Sequence, residues 1–183
     1  MKETTRQQIV ISGVGGQGVL FVTRLLAEAA IRKGLPVLTS ETHGMAQRGG
    51  TVISHLKVGA FTSPLIRTGH ADALLALKAE GAAQHGHYLH RQGWALVNDS
   101  SPKEDTAGNW QRLDADDLAH EIGNPRAVNL VVLGGALGGR ASLPLFCTLN
   151  DIQAVLEERL AGQATLLEMS RKALEAGLQA VKP

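Results

Sequence analysis

The sequence predicts an α/β protein of one domain, built on a mostly parallel sheet, with helices gathering toward the C-terminus. Three observations carry that expectation. Short apolar runs alternate with stretches of helical periodicity from the N-terminus onward. The first such run stops at a glycine cluster and passes at once into a helical pattern, giving the order strand, tight turn, helix. The end of the chain reads as two amphipathic helices, at about 151–160 and 165–181. At 183 residues the chain suits a single domain spanning 1–183, large enough to bury roughly 70% of the surface its unfolded form exposes. No repeat, low-complexity segment or interdomain linker interrupts it.

Taken in order, residues 8–12 form the first strand and 17–33 a helix. Val19, Val22, Leu25, Leu26 and Ala29 supply that helix's apolar face, and Gly34 is a natural stop. Residues 36–40 read as a second parallel strand that closes a βαβ unit. Over 51–58, Val52, Ser54, Leu56 and Val58 alternate with Ile53, His55 and Lys57, the pattern of a strand with one buried face. A buried strand follows at 71–77, a short helix at 80–91 and a further strand at 94–98. The polar stretch 99–108 reads as a loop or small edge hairpin. Residues 114–122 form a helix whose early acids suit its dipole. The glycine-rich apolar run 129–139 has no strand before its glycines, so a buried, closely packed helix is predicted in place of a second phosphate loop.

The first turn, Gly13-Val14-Gly15-Gly16-Gln17-Gly18, has the G-x-G-x-x-G spacing of a Rossmann-like domain. Gly13 allows a sharp exit from the strand, Gly15 the close approach of a ligand or another backbone, and Gly18 the packing of the helix on the strand. The N–H groups of the helix's first turn, with the positive end of its dipole, then favour an anion. Such turns also form for packing alone, so the spacing by itself leaves nucleotide or phosphate binding open. Glu41 falls at the end of the second strand, where a dinucleotide-binding fold holds its ribose carboxylate. The segment Glu41-Thr42-His43-Gly44-Met45-Ala46-Gln47-Arg48-Gly49-Gly50 then gathers Glu41, His43, Gln47 and Arg48 among three glycines. A plain connection would explain such a loop. Polar loops between buried strands more often carry function, and this one belongs at the carboxyl edge of the sheet, where open α/β folds bind ligands. Arg48 is the anion-holding candidate, its planar fork matching carboxylate or phosphate.

Composition narrows the function classes. A net charge of +1, with 44% hydrophobic and 19% charged residues, argues against disorder and against a nucleic-acid-binding surface. An aromatic content of 3% argues against base-stacking platforms. The single Cys147 excludes a disulfide framework, and an iron–sulfur or zinc site made by this chain alone. No apolar run reaches the roughly 20 residues that span a bilayer, and no signal-peptide core precedes the first strand, so a soluble, reducing, cytoplasmic setting is expected. His87 and His90 share a helical face, but His85 lies off it and no acid completes a metal set, which favours solvated histidines. Cys147 follows Leu145-Phe146 and reads as an inert buried thiol. Ser100, Ser101, Asp105, Asp116 and Asp117 have turn and cap explanations. With no paired carboxylates, nucleophile elbow or P-loop lysine, no residue is assigned a catalytic or metal-binding role.

The glycine turn together with Thr39-Ser40-Glu41-Thr42-His43-Gly44-Met45-Ala46-Gln47-Arg48-Gly49-Gly50-Thr51-Val52-Ile53-Ser54-His55-Leu56 closely resembles the gamma-type subunits of 2-oxoacid:ferredoxin oxidoreductases. Within them the likeness is greatest to the beta subunits of the indolepyruvate enzymes. Ser63-Pro64-Leu65-Ile66, 71–77 and 129–134 extend the match, which runs from about 8 to about 160. The resemblance implies a single gamma-type domain that belongs to a cytoplasmic complex. Such complexes oxidatively decarboxylate a 2-oxoacid, here indolepyruvate, to an acyl-CoA and pass electrons to ferredoxin. Thiamine diphosphate and iron–sulfur clusters would belong to a catalytic partner chain, with CoA in the assembled enzyme and no cofactor in this chain. The isolated chain would be inactive, and could form a homodimer by itself.

The candidate binding residues are therefore Gly13, Gly15, Gly16, Gln17, Gly18, Glu41, Gln47, Arg48, Gly49 and Gly50, contacting phosphate, CoA or the partner chain. Two other functions compete: a free-standing NAD(P)-dependent dehydrogenase, suggested by the glycine turn and Glu41, and an interaction module whose glycines serve packing only. Gln17 inside the turn, the Gln47–Gly50 segment and the lack of a second substrate domain favour the oxidoreductase subunit over both.

Overall fold

The computed structural model describes residues 5–41, 50–101, 109–138 and 144–181. Strand β1 (Gln7–Val14) leads through the glycine turn into helix α1 (Val19–Arg32), followed by β2 (Val37–Glu41), β3 (Thr51–Val58) and β4 (Ala71–Ala76). Helix α2 (Ala79–His85) and a single 3₁₀ turn (Gly86–Tyr88) precede β5 (Leu89–Asn98). Then come β6 (Trp110–Leu113), α3 (Ala115–Glu121), α4 (Val128–Gly138), α5 (Leu149–Arg159) and α6 (Ala164–Ala180). This is the expected α/β class, one sheet with its helices gathered toward the C-terminus.

The strand order is β2-β3-β1-β4-β5-β6. The pairs β1·β4, β4·β5 and β5·β6 are parallel, whereas β3 runs antiparallel to both β1 and β2. The strand at 36–40 therefore does not pair with β1 to close an ordinary βαβ unit, because β3 is inserted between them. Its composition explains the insertion. Residues Val52–Val58 are all buried, so β3 is an interior strand covered on both faces, and the expectation of one buried face is corrected. Half-exposed β2 is left at the edge.

Ile9 and Ile11 of β1, with Val52, Leu56, Leu75 and Leu96, face the large core beneath the helices α1 and α3–α6. Val10, Ile53, Leu74, Ala95 and Val97 face a smaller core under α2 and the segment 59–70. Several boundaries expected from the sequence move. The helix expected over 80–91 stops at His85, and its last residues enter β5, whose polar start His90-Arg91-Gln92-Gly93 hides a strand. At Gly93 an added Cβ would stand 2.7 Å from the Ala71 carbonyl oxygen, where the β4·β5 register shifts. The polar stretch 99–108 is followed by β6, four residues too mixed in character to read as a strand; 102–108 lie outside the described residues.

Buried polar groups lock the ends of these elements. Asn98 accepts from the Ala115 N–H (2.9 Å) and donates to Asp116 (2.8 Å) and to the Leu77 carbonyl (3.1 Å), joining β5 to the start of α3. Asp114 caps α3 by accepting from the Asp117 N–H. Gln7 ties β1 to the approach to α5, donating to the Pro144 carbonyl and accepting from the Phe146 N–H, each at 2.9 Å. Thr148 and Asp151 then form a capping box, which starts α5 at Leu149 rather than at 151.

The glycines of α4 are where it meets α6. A Cβ on Gly134 would lie 2.0 Å from the Leu174 carbonyl oxygen, and one on Gly177 of α6 would lie 1.8 Å from that of Val131. The two backbones touch at these points, as the reading of 129–139 as a closely packed helix predicts. Gly177→Ala must push them apart, at a cost of about 1–3 kcal/mol or more. Thermal melts followed by circular dichroism should show the midpoint falling by several degrees. An unchanged midpoint would mean that the crossing has slack.

Candidate functional site at the carboxyl edge of the sheet

The glycine turn is closed by Gln17. Its N–H donates to the Val14 carbonyl (3.1 Å) and its side-chain oxygen accepts from the Val14 N–H (2.8 Å), so both polar groups at the end of β1 are bound within the turn. Glycine roles differ from those expected. Gly13 continues β1, and its missing side chain makes room for Gln17, Val19 and Leu77. The left-handed residues are Gly16, at φ +87° and open on its Cβ side, and Gly18, at φ +83°. Gly18 is the N-cap of α1, with no side-chain cap and no acid in the helix's first turn. A Cβ there would stand 2.1 Å from Asn129 Nδ2, so Gly18 packs against the start of α4 rather than against the strand. Asn129 thus joins the site. The family resemblance includes it, but its place at the start of an apolar run gives no sign of a role at this turn.

The second motif reaches the same edge. Val14 pairs with Thr51, and the Gly15 N–H donates to the Gly50 carbonyl at 3.3 Å. Glu41 ends β2 opposite Ser54, which in turn pairs with Ile11. The segment that departs at Glu41, at the end of β2 and level with Ile11, therefore returns at Gly50 to the carboxyl edge of β1. Gln47, Arg48 and Gly49 lie outside the described residues. The inserted β3 also puts Glu41 two strand spacings, about 10 Å, from β1. In a dinucleotide-binding fold the ribose carboxylate ends the adjacent strand, so this register gives the dehydrogenase reading no support.

The histidines are arranged differently from the solvated set expected. His85 Nδ1 is 2.7 Å from the hydroxyl of Ser12, a fully buried residue of β1, and Gly81 leaves that hydroxyl its space. His55, only 3% exposed on β3, receives the Ile66 N–H at 3.4 Å and meets Tyr88 edge-on, with ring centroids 5.2 Å apart. Burial holds both imidazoles below their usual range, with His85 adding to the effect on His55, and His87 to that on His85. His90 turns away to Asp72 at 3.1 Å. Among the described residues no group of three or more His, Cys, Asp or Glu side chains is placed to hold a metal ion. Burial pushes the Cys147 thiol up to about 12, in keeping with an inert thiol. The sequence sign of the histidine pocket was a strand with His55 on its second buried face, which alternation alone does not separate from a solvated face.

The described candidate residues, the glycine turn and Gly50, thus meet at one edge of a single α/β sheet. The sequence matches the pyruvate ferredoxin/flavodoxin oxidoreductase family over residues 8–180, and the chain belongs to that family. It is 34% identical to the indolepyruvate oxidoreductase subunit IorB of Archaeoglobus fulgidus, over 94% of each chain. To the same-named subunit of Thermococcus kodakarensis it is 32% identical, over 95% of each. The gamma subunit of a keto/oxoacid ferredoxin oxidoreductase from Geobacter sulfurreducens matches at a TM-score of 0.74 and 26% identity, covering 96% of this chain and 98% of that one. The 2-oxoglutarate:ferredoxin oxidoreductase of Magnetococcus marinus, solved with 2-oxoglutarate, coenzyme A and succinyl-CoA, matches at 0.78 and 19% identity; this chain spans 31% of that one, and the likeness is one of fold.

The histidine pocket makes stability depend on pH. Because folding lowers both imidazole pKa values, the folded state prefers them neutral. Their contribution is fully present above the unfolded value of 6.5 and is lost as the pH falls through the folded values. Melting midpoints should therefore decline from pH 7.5 to pH 5, and His55→Gln should flatten the decline. A midpoint that stays level in the wild-type chain would show that the pocket admits imidazolium.

Proposed function

We propose that this chain is the subunit of a thiamine-diphosphate-dependent 2-oxoacid:ferredoxin oxidoreductase, of the indolepyruvate kind, that carries no redox cofactor itself. The assembled enzyme would convert a 2-oxoacid and CoA to an acyl-CoA and carbon dioxide, with the electrons passing to ferredoxin. Thiamine diphosphate and the iron–sulfur clusters would reside in the catalytic partner chain. Two things support this division: the relatives are named as indolepyruvate oxidoreductase subunits, and the only cysteine here is buried. No helix among the described residues is long and apolar enough to cross a membrane, and a cytoplasmic complex is the setting proposed.

The observation that supports the assignment of the site is the Gly15–Gly50 hydrogen bond, which brings the last residue of the second motif against the glycine turn. Gly16 and Gly18 would offer backbone N–H groups at a helix start free of acids, in a turn that Gly13, Gly15 and Gln17 shape. Glu41, Gln47, Arg48, Gly49 and Gly50 would come from the facing loop. The N–H groups and Arg48 suit the phosphate groups of CoA, with Arg48 supplying the charge and the Glu41 carboxylate left to accept from a hydroxyl or amide. A second reading gives the same residues a carboxylate or backbone of the partner chain to hold. CoA is favoured because it is the polyanion that the proposed reaction requires.

Two outcomes are expected. The purified chain alone should turn over no 2-oxoacid with CoA and a viologen dye, while mixing it with its catalytic partner restores turnover. Activity of the lone chain would refute the division of labour. Arg48→Ala should leave the melting midpoint nearly unchanged, since Arg48 stands in a polar, glycine-rich segment and substitutions outside a core usually stay within about 0.5 kcal/mol. In the assembled enzyme, loss of a charge-assisted contact worth about 1.5–3 kcal/mol should raise KM for CoA about tenfold to a hundredfold. Unchanged KM with weakened assembly would instead favour the partner contact, and unchanged values for both would remove Arg48 from the site.

A further inference from the structure

A second concentration of charge lies at the other end of β1. Its amino end meets the carboxyl end of β3, with Gln8 paired to Lys57, about 23 Å along the strand from Gly15. Beyond β3 the chain reverses at Gly59 (φ +107°), where a Cβ would stand 2.2 Å from the Thr5 carbonyl oxygen. The segment 60–70 then folds back over the sheet and is tied down on both sides. Ile66 is buried and bonded to His55; the N–H groups of Gly69 and His70 donate to the His87 and Tyr88 carbonyls at 3.0 and 2.8 Å; and Gln8 Nε2 donates to the His70 carbonyl at 2.8 Å.

Between this strap and the strands is a cavity of about 410 Å³, a size usual for small-molecule sites. Arg6, Lys57, Arg67 and His70 line it, with the hydroxyls of Thr62 and Ser63. Phe61 orders two of the cations: Arg6 lies 4.3 Å and Lys57 5.1 Å from its ring centre, contacts that hold the groups without neutralising them. Lys57 is 7% exposed. Burial lowers its pKa first, followed by the charges of Arg67 and Arg6. The nearest acid on β4, Asp72, already accepts from the Gln8 N–H at 2.6 Å and from His90 at 3.1 Å. Among the described residues no carboxylate pairs with Arg6, Lys57 or Arg67. An ammonium on a side chain largely withdrawn from solvent, repelled by two nearby guanidiniums, is stabilised when an anion joins it.

We propose that this cavity is a second binding site, for a compact phosphate-bearing small molecule. Arg6, Lys57 and Arg67 supply the charge, and Thr62 and Ser63 donate to the remaining oxygens. An acidic segment of a protein partner is the competing occupant. The small molecule is favoured because the innermost cation is recessed in a cavity rather than raised on a flat surface, within reach of a group that enters it.

The test is calorimetric titration of the full-length chain with pyrophosphate at low and at physiological salt. Saturable one-to-one binding is expected, weakened at least tenfold by Arg67→Ala and by Lys57→Met. If Lys57→Met fails to fold by circular dichroism, exposed Arg67 still tests the site by itself. Competition by ADP or by glucose 6-phosphate would both support the site and would separate a nucleotide from a phosphorylated metabolite as its source. The proposal is overturned if pyrophosphate does not bind. It is also overturned if both variants bind as the wild type does, which would move the anion to another surface. Failure to bind pyrophosphate together with loss of partner capture by Arg67→Ala would make the cavity a protein interface instead. None of these results depends on turnover by the assembled enzyme, so the reading of the glycine edge stands or falls separately.

Discussion

Eight residue pairs, from Gln7 with Val58 to Val14 with Thr51, hold β3 antiparallel along the whole of β1, and most of the molecule's arrangement depends on that ladder. A sheet continued in parallel would have put β2 beside β1 and Glu41 near the glycine turn. The inserted strand displaces β2 to the edge and returns the chain to the carboxyl end of β1 at Gly50. It also carries His55 and Lys57 to the face opposite the main helices, at successive outward positions of one strand. One element therefore determines the glycine edge, the imidazole pocket and the basic cavity. The pairing is a matter of burial: β3 can be central because both of its faces have something to meet.

How much of this was legible depended on whether the pattern had one physical cause. The turn from Gly13 to Gly18, the apolar face of α1, and the α4 glycines each had one, and the structure agrees on the elements they announce. The β3 alternation had two. Residues Ile53, His55 and Lys57 look the same in sequence whether they face water or a covering strap, and only the strap, whose Ile66 is buried, decides between them. β6 is too short for periodicity to act on. The sheet order was hidden for a different reason, since adjacency among strands is set by long-range burial rather than by any local signal.

At the glycine edge the residue types were readable while their work was not. The sequence assigns Gly18 to strand packing, but its left-handed backbone and the proximity of Asn129 make it a contact with α4. Gln17 looked like a position inside a ligand loop, and its side chain binds the strand's own last N–H. Asn129 opens one of the segments that match the family, but no local pattern points it toward the glycine turn. The interior elsewhere follows a simpler rule. Asn98, Gln7 and Ser12 are buried with named partners, whereas the Ser54 hydroxyl, on β3, is buried with none. Among the described residues it stands alone in this, a cost at the centre of the sheet, where unpaired polar groups are rare.

The crossing of α4 and α6 also has a bearing on how the chain is made. Val128–Gly138 is almost wholly apolar, and the helix that touches its backbone through Gly177 is translated after it. During synthesis the ribosome releases a hydrophobic segment well before its cover exists. Early docking of α4 on the nascent sheet still leaves the surface meant for α6 open, the kind of exposure that holding chaperones recognise. A chain ended before 164 would keep that surface permanently, so nonsense truncations there would give insoluble products even though the glycine turn and every strand had been completed.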